Sequence, residues 1–239
     1  DSLVRMRELG AIDQVVVVDA SRDGTGDIAA RHGAEVHAQA GLMPGFGPVL
    51  GKGDAMWRAL SVLSGDVVCF VDADSEQFGP HFACGLIGPL VVDQHVRFVK
   101  GFYRRPFRFG AELAPDGGGR VTELTARPLL QLFYPQLADV RQPLAGEVAA
   151  RRDLLEQLPF ATGYAVEIAM LIDAYELAGI EAIAQVDLDV RQNRHQPLSD
   201  LGPMAAAVLR AVAERRGLVD DGPERTVERP PMASLRAAA

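Results

Sequence analysis

Apolar and polar positions along the chain follow the pattern of short buried strands that alternate with amphipathic helices. The β-branched run at residues 15–19 and the apolar run at residues 66–72 are typical of strands covered on both faces, and each ends in an aspartate. Between them the spacing predicts a helix over residues 26–32, a short strand over 34–37 and an amphipathic helix over 54–63. This alternation predicts an α/β fold in which helices flank a mostly parallel sheet.

The rest of the chain continues this pattern and becomes richer in helix. We expect strands at residues 96–103 and 182–188, a glycine-rich loop at 108–119 that leads into a helix near Val121, and helices at 81–91, 151–158, 167–178 and 204–216. The glycine- and proline-rich residues 43–53 predict an active loop, not packed structure. Residues 218–239 mix proline, arginine and glutamate without a period, so we expect a tail that is disordered unless it docks on a partner.

The composition limits the classes of function. The 239 residues are 48% apolar and carry a net charge of −8, so the chain can bury a core but lacks the basic surface of a duplex nucleic-acid binder. No stretch approaches the roughly 20 apolar residues of a membrane span, and we expect none. The two cysteines have neither disulfide-framework nor metal-ligand spacing, which indicates buried free thiols in a reducing compartment. We therefore expect a cytoplasmic protein.

The segment Asp72-Ala73-Asp74, at the exit of an apolar strand, is the strongest chemical signal. Side chains at positions i and i+2 of a strand point the same way, so the two carboxylates can hold a hard divalent cation. The carboxyl end of a strand in an α/β sheet opens into the ligand crevice, where a diphosphate can reach the ion. The pair is also compatible with aspartates that cap a helix or face solvent.

Two glycine-rich segments could bind anions. Lys52 lies between two glycines just before a predicted helix, whose free backbone N–H groups attract negative charge, but the segment lacks the spacing of a Walker nucleotide-binding loop. Residues 117–122 combine three glycines with Arg120 and Thr122, which suits a small phosphate. The plainer alternatives are a solvated loop lysine and a flexible linker with a capping threonine.

Two further segments have both a functional and an ordinary interpretation. His195 follows a predicted strand in a polar loop, where it could ligate a metal or hold a phosphate, or simply lie at the surface. Glu167, near Tyr164 at a predicted helix start, could contact a sugar hydroxyl or could be an acid favoured by the helix dipole.

Together these segments resemble the retaining glycosyltransferases that make glucosyl-3-phosphoglycerate or mannosyl-3-phosphoglycerate, actinobacterial enzymes of the GT-A fold. The similarity spans nearly the whole chain and is carried by six blocks, at residues 51–58, 70–74, 100–106, 117–129, 142–147 and 160–168. It implies a GT-A domain with a C-terminal helical extension. We expect a nucleotide-sugar and metal-binding part at residues 1–103, an acceptor-binding part with the helical extension at 104–217, and the tail at 218–239.

The resemblance also implies roles for individual residues. The donor-binding residues would be Asp19, Lys52, Asp72, Ala73, Tyr164, Glu167 and Arg191. The acceptor-binding residues would be Gly119, Arg120, Thr122 and Asn193, and the Mg²⁺ or Mn²⁺ ligands would be Asp74 and His195. The catalytic residues would be Asp74, Glu167 and Leu144, whose backbone carbonyl would lie by the reacting centre.

Three departures from the family pattern accompany this resemblance. Asp1 already matches the helix after the family's first strand, so the proline, asparagine and glutamate loop that grips the base is not among these residues. Mycobacterial members read His-Arg-Asn where this chain reads Asn193-Arg194-His195, and Ala20 replaces an expected serine. The residues alone separate neither glucose from mannose nor UDP from GDP.

The implied activity is the transfer of a hexose, with retention, from a nucleoside diphosphate sugar to the 2-hydroxyl of 3-phosphoglycerate. A front-face displacement, in which the donor's own phosphate oxygen takes the acceptor proton, is favoured over a covalent glycosyl-enzyme. We expect a homodimer. The alternatives are a non-catalytic nucleotide-sugar-binding protein on the same fold and a sugar nucleotidyltransferase, although the glycine-rich opening typical of the latter is absent from these residues.

Overall fold

A computed structural model describes residues 1–75, 78–105, 107–109, 112–114, 119–191, 197–219, 222 and 225–237. The strands are β1 (Val16–Asp19), β2 (Glu35–Ala38), β3 (Val67–Phe70), β4 (Phe98–Arg104), β5 (Phe107–Phe109), β6 (Glu112–Ala114), β7 (Val148–Arg151), β8 (Phe160–Ala161), β9 (Ile183–Val190) and β10 (Glu228–Arg229). The helices are α1 (Ser2–Glu8), α2 (Thr25–Arg31), α3 (Lys52–Ala59), α4 (Pro80–Val92), α5 (Arg127–Phe133), α6 (Arg152–Leu155), α7 (Val166–Ala178), α8 (Leu198–Arg215) and α9 (Met232–Ala237). A π-helical turn, Thr122–Ala126, precedes α5.

The main sheet is mixed, with the strand order β3-β7-β4-β9. β4 and β9 run parallel, whereas β7 lies antiparallel between β3 and β4. The sequence predicted a helix over residues 151–158 and no strand before it, so β7 was missed. Two of its four residues are alanines, which have low strand propensity. The parallel pair β1-β2 and the hairpin β5-β6 lie outside this sheet.

Helices pack on both faces of the main sheet, as the α/β prediction requires. Adjacent residues of β4 show this, since Phe98 belongs to one hydrophobic cluster and Val99 to another. The larger cluster joins the Phe98 face to α3, α5, α7 and α8, and the smaller one joins the Val99 face to α4. Strand side chains alternate between faces, so a single strand feeds both cores.

The end of the chain is ordered, which contradicts the expectation of a disordered tail for residues 225–237. β10 pairs with β8, and Met232 is buried in the larger core. The Nε1 of Trp57 donates a hydrogen bond of 2.8 Å to the carbonyl of Pro230. The prediction failed because this segment is held by pairing and buried charge, which leave no periodic apolar pattern in the sequence.

Both cysteines were expected to be buried free thiols. Both cysteines are free, but Cys84 is exposed, so the prediction that it is buried was wrong. No helix in the described ranges combines the length and the apolar character that crossing a bilayer demands.

Candidate functional site

Six charged side chains from separate segments meet at one edge of the main sheet, and we refer to them as the charge cluster. Its members are Lys52, Asp72, Asp74, Glu147, Glu167 and Arg191. Asp72 and Asp74 follow β3, and Arg191 follows the parallel β9. Glu147 precedes β7, whose first residue, Val148, pairs with the last residue of β3. The antiparallel β7 thus brings its amino end to the edge where β3 and β9 have their carboxyl ends.

Lys52 bridges two acids of the charge cluster. Its Nζ lies 2.5 Å from Oδ1 of Asp72 and 2.8 Å from Oε1 of Glu167. Burial opposes the charge on Lys52, but the carboxylates of Glu167 and Asp72 outweigh burial and raise the pKa of Lys52 above its ordinary value. Lys52 is therefore a fixed cation that joins the aspartate segment after β3 to the start of α7.

Arg191 forms ion pairs with three acids of the charge cluster. Its Nη2 lies 3.1 Å from Oδ2 of Asp72 and 2.6 Å from Oδ1 of Asp74, so the two carboxylates converge on one nitrogen. The strand alternation expected to align them is not the cause, because β3 ends at Phe70 and both aspartates lie beyond it. The Nη1 of Arg191 lies 2.8 Å from Oε1 of Glu147 and donates a hydrogen bond of 2.8 Å to the hydroxyl of Tyr103. Burial tends to raise the pKa of Asp72, but Lys52 and Arg191 outweigh it and hold the pKa below its usual range. Asp72 is therefore ionised.

Two buried charged residues, Glu147 within the charge cluster and Lys100 near it, were missed by the sequence reasoning. Glu147 is fully buried, and burial raises its pKa even though Arg191 opposes the shift. Lys100, only 1% exposed, donates a hydrogen bond of 2.5 Å from Nζ to the carbonyl of Ala145, and burial lowers its pKa to about 8. The signal for Lys100 was present, because it shares a face of β4 with Phe98, and lysine is rarely buried without a specific partner.

Gly146 allows the close approach of Lys52 and Asp72. A Cβ at position 146 would lie 2.3 Å from Oδ2 of Asp72 and 2.5 Å from Nζ of Lys52, distances that real side chains do not show. The turn before it is closed by the N–H of Ala145, which donates to the carbonyl of Gln142 at 3.0 Å. Leu144 lies in this turn and packs against the larger core, while its catalytic role stays a prediction.

Three predicted donor residues lie outside the charge cluster's network of contacts. Asp19 ends β1 and accepts a hydrogen bond of 3.0 Å from the N–H of Ser21, which lowers the pKa of Asp19. Ala73 is exposed between the two aspartates, and Tyr164 is 59% exposed just before α7. Their donor roles stay predictions.

The predicted acceptor segment begins with Gly119, which adopts a left-handed backbone conformation with φ of 81°. The carbonyl of Gly119 accepts a hydrogen bond of 3.0 Å from the N–H of Glu123, so the helical turn starts here, and Arg120 lies in it. Thr122 is buried and opens the π-helical turn, a distortion often found at functional sites. Asn193 and His195 lie outside the described residues. Within the described ranges, no three His, Cys, Asp or Glu side chains form a group that could hold a metal ion.

Two curated relatives of this chain have the same name, although no family model matches the sequence. The chain is 46% identical over 211 residues to glucosyl-3-phosphoglycerate synthase from Petrotoga mobilis, covering 88% of this chain and 65% of that protein. It is 41% identical over 246 residues to the synthase of the same name from Mycolicibacterium smegmatis, covering 95% of this chain and 81% of that protein. The chain thus spans just under two thirds of the first relative and about four fifths of the second.

Solved structures give the same result. Mannosyl-3-phosphoglycerate synthase from Rubrobacter xylanophilus superposes with a TM-score of 0.88 at 48% identity, covering 98% of this chain and 82% of that one. Glucosyl-3-phosphoglycerate synthase from Mycobacterium tuberculosis, in complex with Mn²⁺, UDP-glucose and phosphoglyceric acid, has a TM-score of 0.84 at 42% identity, covering 94% of this chain and 81% of that one. The GT-A fold expected from the sequence is confirmed, and the chain belongs to the glucosyl-3-phosphoglycerate and mannosyl-3-phosphoglycerate synthase family of glycosyltransferases.

Proposed function

We propose that this protein transfers a hexose, glucose or mannose, from a UDP- or GDP-linked donor to the 2-hydroxyl of 3-phosphoglycerate with retention of configuration. The observation that carries the proposal is the Lys52 bridge between Asp72 and Glu167. In this assignment Asp72 contacts the donor nucleotide and Glu167 the transferred hexose. The bridge therefore fixes the position of the sugar relative to the nucleotide.

Two carboxylates of the described residues suit a divalent metal. The carboxylates of Asp72 and Asp74 converge on one nitrogen of Arg191, and Asp74 remains 70% exposed, so its oxygens are accessible. Carboxylate oxygens are ligands that Mg²⁺ and Mn²⁺ accept. We assign Asp74 as the direct ligand, with Asp72 close by and His195 completing the set. When bound, the ion would supply positive charge that stabilises the departing diphosphate.

The bonding changes need no side-chain nucleophile. The bond between the anomeric carbon and the diphosphate oxygen breaks, and a bond from that carbon to the 2-oxygen of phosphoglycerate forms on the same face. The proton of the 2-hydroxyl passes to the departing phosphate oxygen. Glu147 and Glu167 are both ion-paired, to Arg191 and Lys52, which supports this route over a covalent glycosyl-enzyme.

The remaining residues orient the substrates in this proposal. Asp19, Ala73, Tyr164 and Arg191 line the donor, and the Leu144 carbonyl faces the reacting centre. Gly119, Arg120, Thr122 and Asn193 hold the phosphoglycerate. The left-handed Gly119 directly before the first helical turn supports an anion site, because such a turn exposes backbone N–H groups.

The test is a donor panel with 3-phosphoglycerate as acceptor, comparing UDP-glucose, GDP-glucose and GDP-mannose in the presence of Mn²⁺ or Mg²⁺. We expect a glycosylated phosphoglycerate whose anomeric configuration, read by proton NMR, matches that of the donor. Glycerol 3-phosphate serves as a matched acceptor without the carboxylate. Release of nucleoside diphosphate without a glycosylated product, or donor binding without turnover, would refute the assignment. Formation of a nucleotide sugar from a hexose 1-phosphate and a nucleoside triphosphate would identify a nucleotidyltransferase instead.

The homodimer and the cytoplasmic location, both expected from the sequence, are also retained as proposals. The family resemblance supports the homodimer, and the two free cysteines support a reducing compartment. Light scattering on the purified chain tests the first, since a homodimer has twice the mass of one chain. Fractionation of cells that express the protein tests the second.

A further inference from the structure

The loop before Lys52 is held by two buried arginines, one in α3 and one in β10. Arg58, in α3, and Arg229, in β10, both direct their guanidinium groups at backbone carbonyls of residues 42–48. The carbonyls that accept these hydrogen bonds belong to Leu42, Met43, Gly47 and Pro48 for Arg58, and to Phe46 and Pro48 for Arg229. The sequence predicted an active loop here, yet its backbone is fixed at five carbonyls.

Asp54 connects the two arginines. Its side chain is fully buried, and Arg229 binds it with two hydrogen bonds, of 2.8 Å from Nε and 2.7 Å from Nη2. Arg58 donates from Nε to the same carboxylate at 3.0 Å. The carboxylate also accepts a hydrogen bond of 2.8 Å from the N–H of Leu50, at the end of the loop. One acid thus sets the positions of both arginines and of the loop.

This arrangement adjoins Lys52 directly. Lys52 is the first residue of α3, and Asp54 lies in the same helical turn. The N–H of Gly53 donates a hydrogen bond of 3.0 Å to the carbonyl of Thr162, and a Cβ at position 53 would lie 1.8 Å from the carbonyl of Ala161. The first turn of α3 is therefore pressed against β8, the strand that pairs with β10.

We propose that Arg229 is a positioning residue for the donor site: it fixes residues 42–54 and so sets Lys52 in its bridge between Asp72 and Glu167. Arginine is required because its planar fork binds Asp54 with two nitrogens while a third reaches the loop, whereas lysine offers a single charged point. Met43 holds a left-handed backbone conformation with φ of 47°, so this loop contains strain that relaxes when its hydrogen bonds are lost. The kinetic part of this inference rests on the proposed function.

The variants Arg229→Met and Arg229→Lys test the inference, and Arg215→Met is the matched control. Arg215 is also a nearly buried arginine, and it binds Asp173 and Glu228, the neighbour of Arg229 in β10. It therefore anchors the same segment, but at α7 and not at the loop. Arg229→Met leaves the ion pair of Asp54 and Arg58, which has no net charge. Arg229→Lys keeps a second cation beside Asp54.

The first measurement is hydrogen exchange of the backbone amides at residues 42–51, which needs no catalysis. We expect both Arg229 variants to raise the exchange rate there by roughly tenfold, the size of effect expected when hydrogen bonds to a charged group are lost. Arg215→Met should leave these amides unchanged. Wild-type exchange at residues 42–51 in Arg229→Lys, or an equal rise in the control, would overturn the inference, and this test remains decisive even when Arg229→Met does not fold.

The second measurement separates positioning from general destabilisation. We expect the KM for the sugar nucleotide to rise about tenfold in Arg229→Lys, with a smaller change in kcat and an unchanged KM for 3-phosphoglycerate. A purely structural role would lower the active fraction and leave both KM values unchanged, and that outcome would refute the positioning role. If the wild-type protein transfers no sugar, the proposed function fails, while the exchange measurement still decides the inference.

Discussion

Replacement of Gly146 by alanine should disable the site while leaving the fold intact. The added Cβ would lie 2.3 Å from Oδ2 of Asp72 and 2.5 Å from Nζ of Lys52, whereas ordinary contact begins at 3.4 Å. Both groups must therefore move by about 1 Å, unless the backbone at position 146 shifts instead. Lys52 is paired with Asp72 and Glu167, and Asp72 also with Arg191, so we expect such a movement to lengthen at least one pair of the charge cluster.

The expected loss is larger in activity than in stability. A misplacement of about 1 Å in a substrate-positioning group can cost roughly 100-fold in rate, which corresponds to about 2.7 kcal/mol of transition-state stabilisation. The pair of Lys52 and Asp72 is partly exposed, so breaking it should lower the free energy of unfolding by only about 1 kcal/mol. The loss of transition-state stabilisation should therefore exceed the loss in the free energy of unfolding by more than about 1 kcal/mol.

The assay measures kcat/KM for the sugar nucleotide together with urea unfolding for Gly146→Ala and a control, Gly163→Ala. A Cβ at position 163 meets no atom within 4 Å, although this glycine lies beside Tyr164 in the proposed donor site. We expect the control to retain activity within about threefold. Near wild-type kcat/KM in Gly146→Ala would refute the steric reasoning, as would an equal loss in both variants.

Three further substitutions test other parts of the site. Asp74→Ala should abolish transfer with little change in the unfolding midpoint, because this carboxylate is 70% exposed, and retained transfer would contradict its metal role. Glu167→Gln should lower kcat by about tenfold or more, because it removes one of the two carboxylates that fix Lys52, and an unchanged kcat would exclude that role. Burial lowers the pKa of Lys100 to about 8, so the unfolded chain binds more protons between about pH 8 and the ordinary lysine value. As pH rises through this range, the free energy of unfolding of the wild type should increase by about 3 kcal/mol relative to that of Lys100→Met. If urea unfolding gives the same dependence on pH for both proteins, the lowered pKa of Lys100 is contradicted.

Local patterns in the sequence were sufficient to predict the elements that surround the site. The apolar run before Asp72 and the alternation in β4 both correspond to strands. These features depend on side-chain periodicity within a few residues. That is the range over which a sequence shows its structure directly.

The parts that were missed depend on contacts between distant segments. β7 is only four residues long, and its position between β3 and β4 is decided by the rest of the sheet. Glu147 reaches the cluster only because that strand runs antiparallel. Arg229 binds Asp54, which lies 175 positions earlier in the sequence, and no periodic apolar pattern in the last 22 residues indicates this contact. Composition therefore could not predict that residues 225–237 form ordered structure.

The antiparallel insertion of β7 also determines how the site is divided along the polypeptide. Lys52, Asp72 and Asp74 precede residue 104, whereas Glu147, Glu167 and Arg191 follow it, so each half holds one cation and two acids of the charge cluster. Both ion pairs that Arg191 makes with an aspartate join the two halves. The boundary at residue 103 stays a prediction, and a cut there would divide the charge cluster between two fragments. Neither half carries the whole charge cluster, so a fragment cut there should bind no donor alone, and activity should return only when both fragments reassemble.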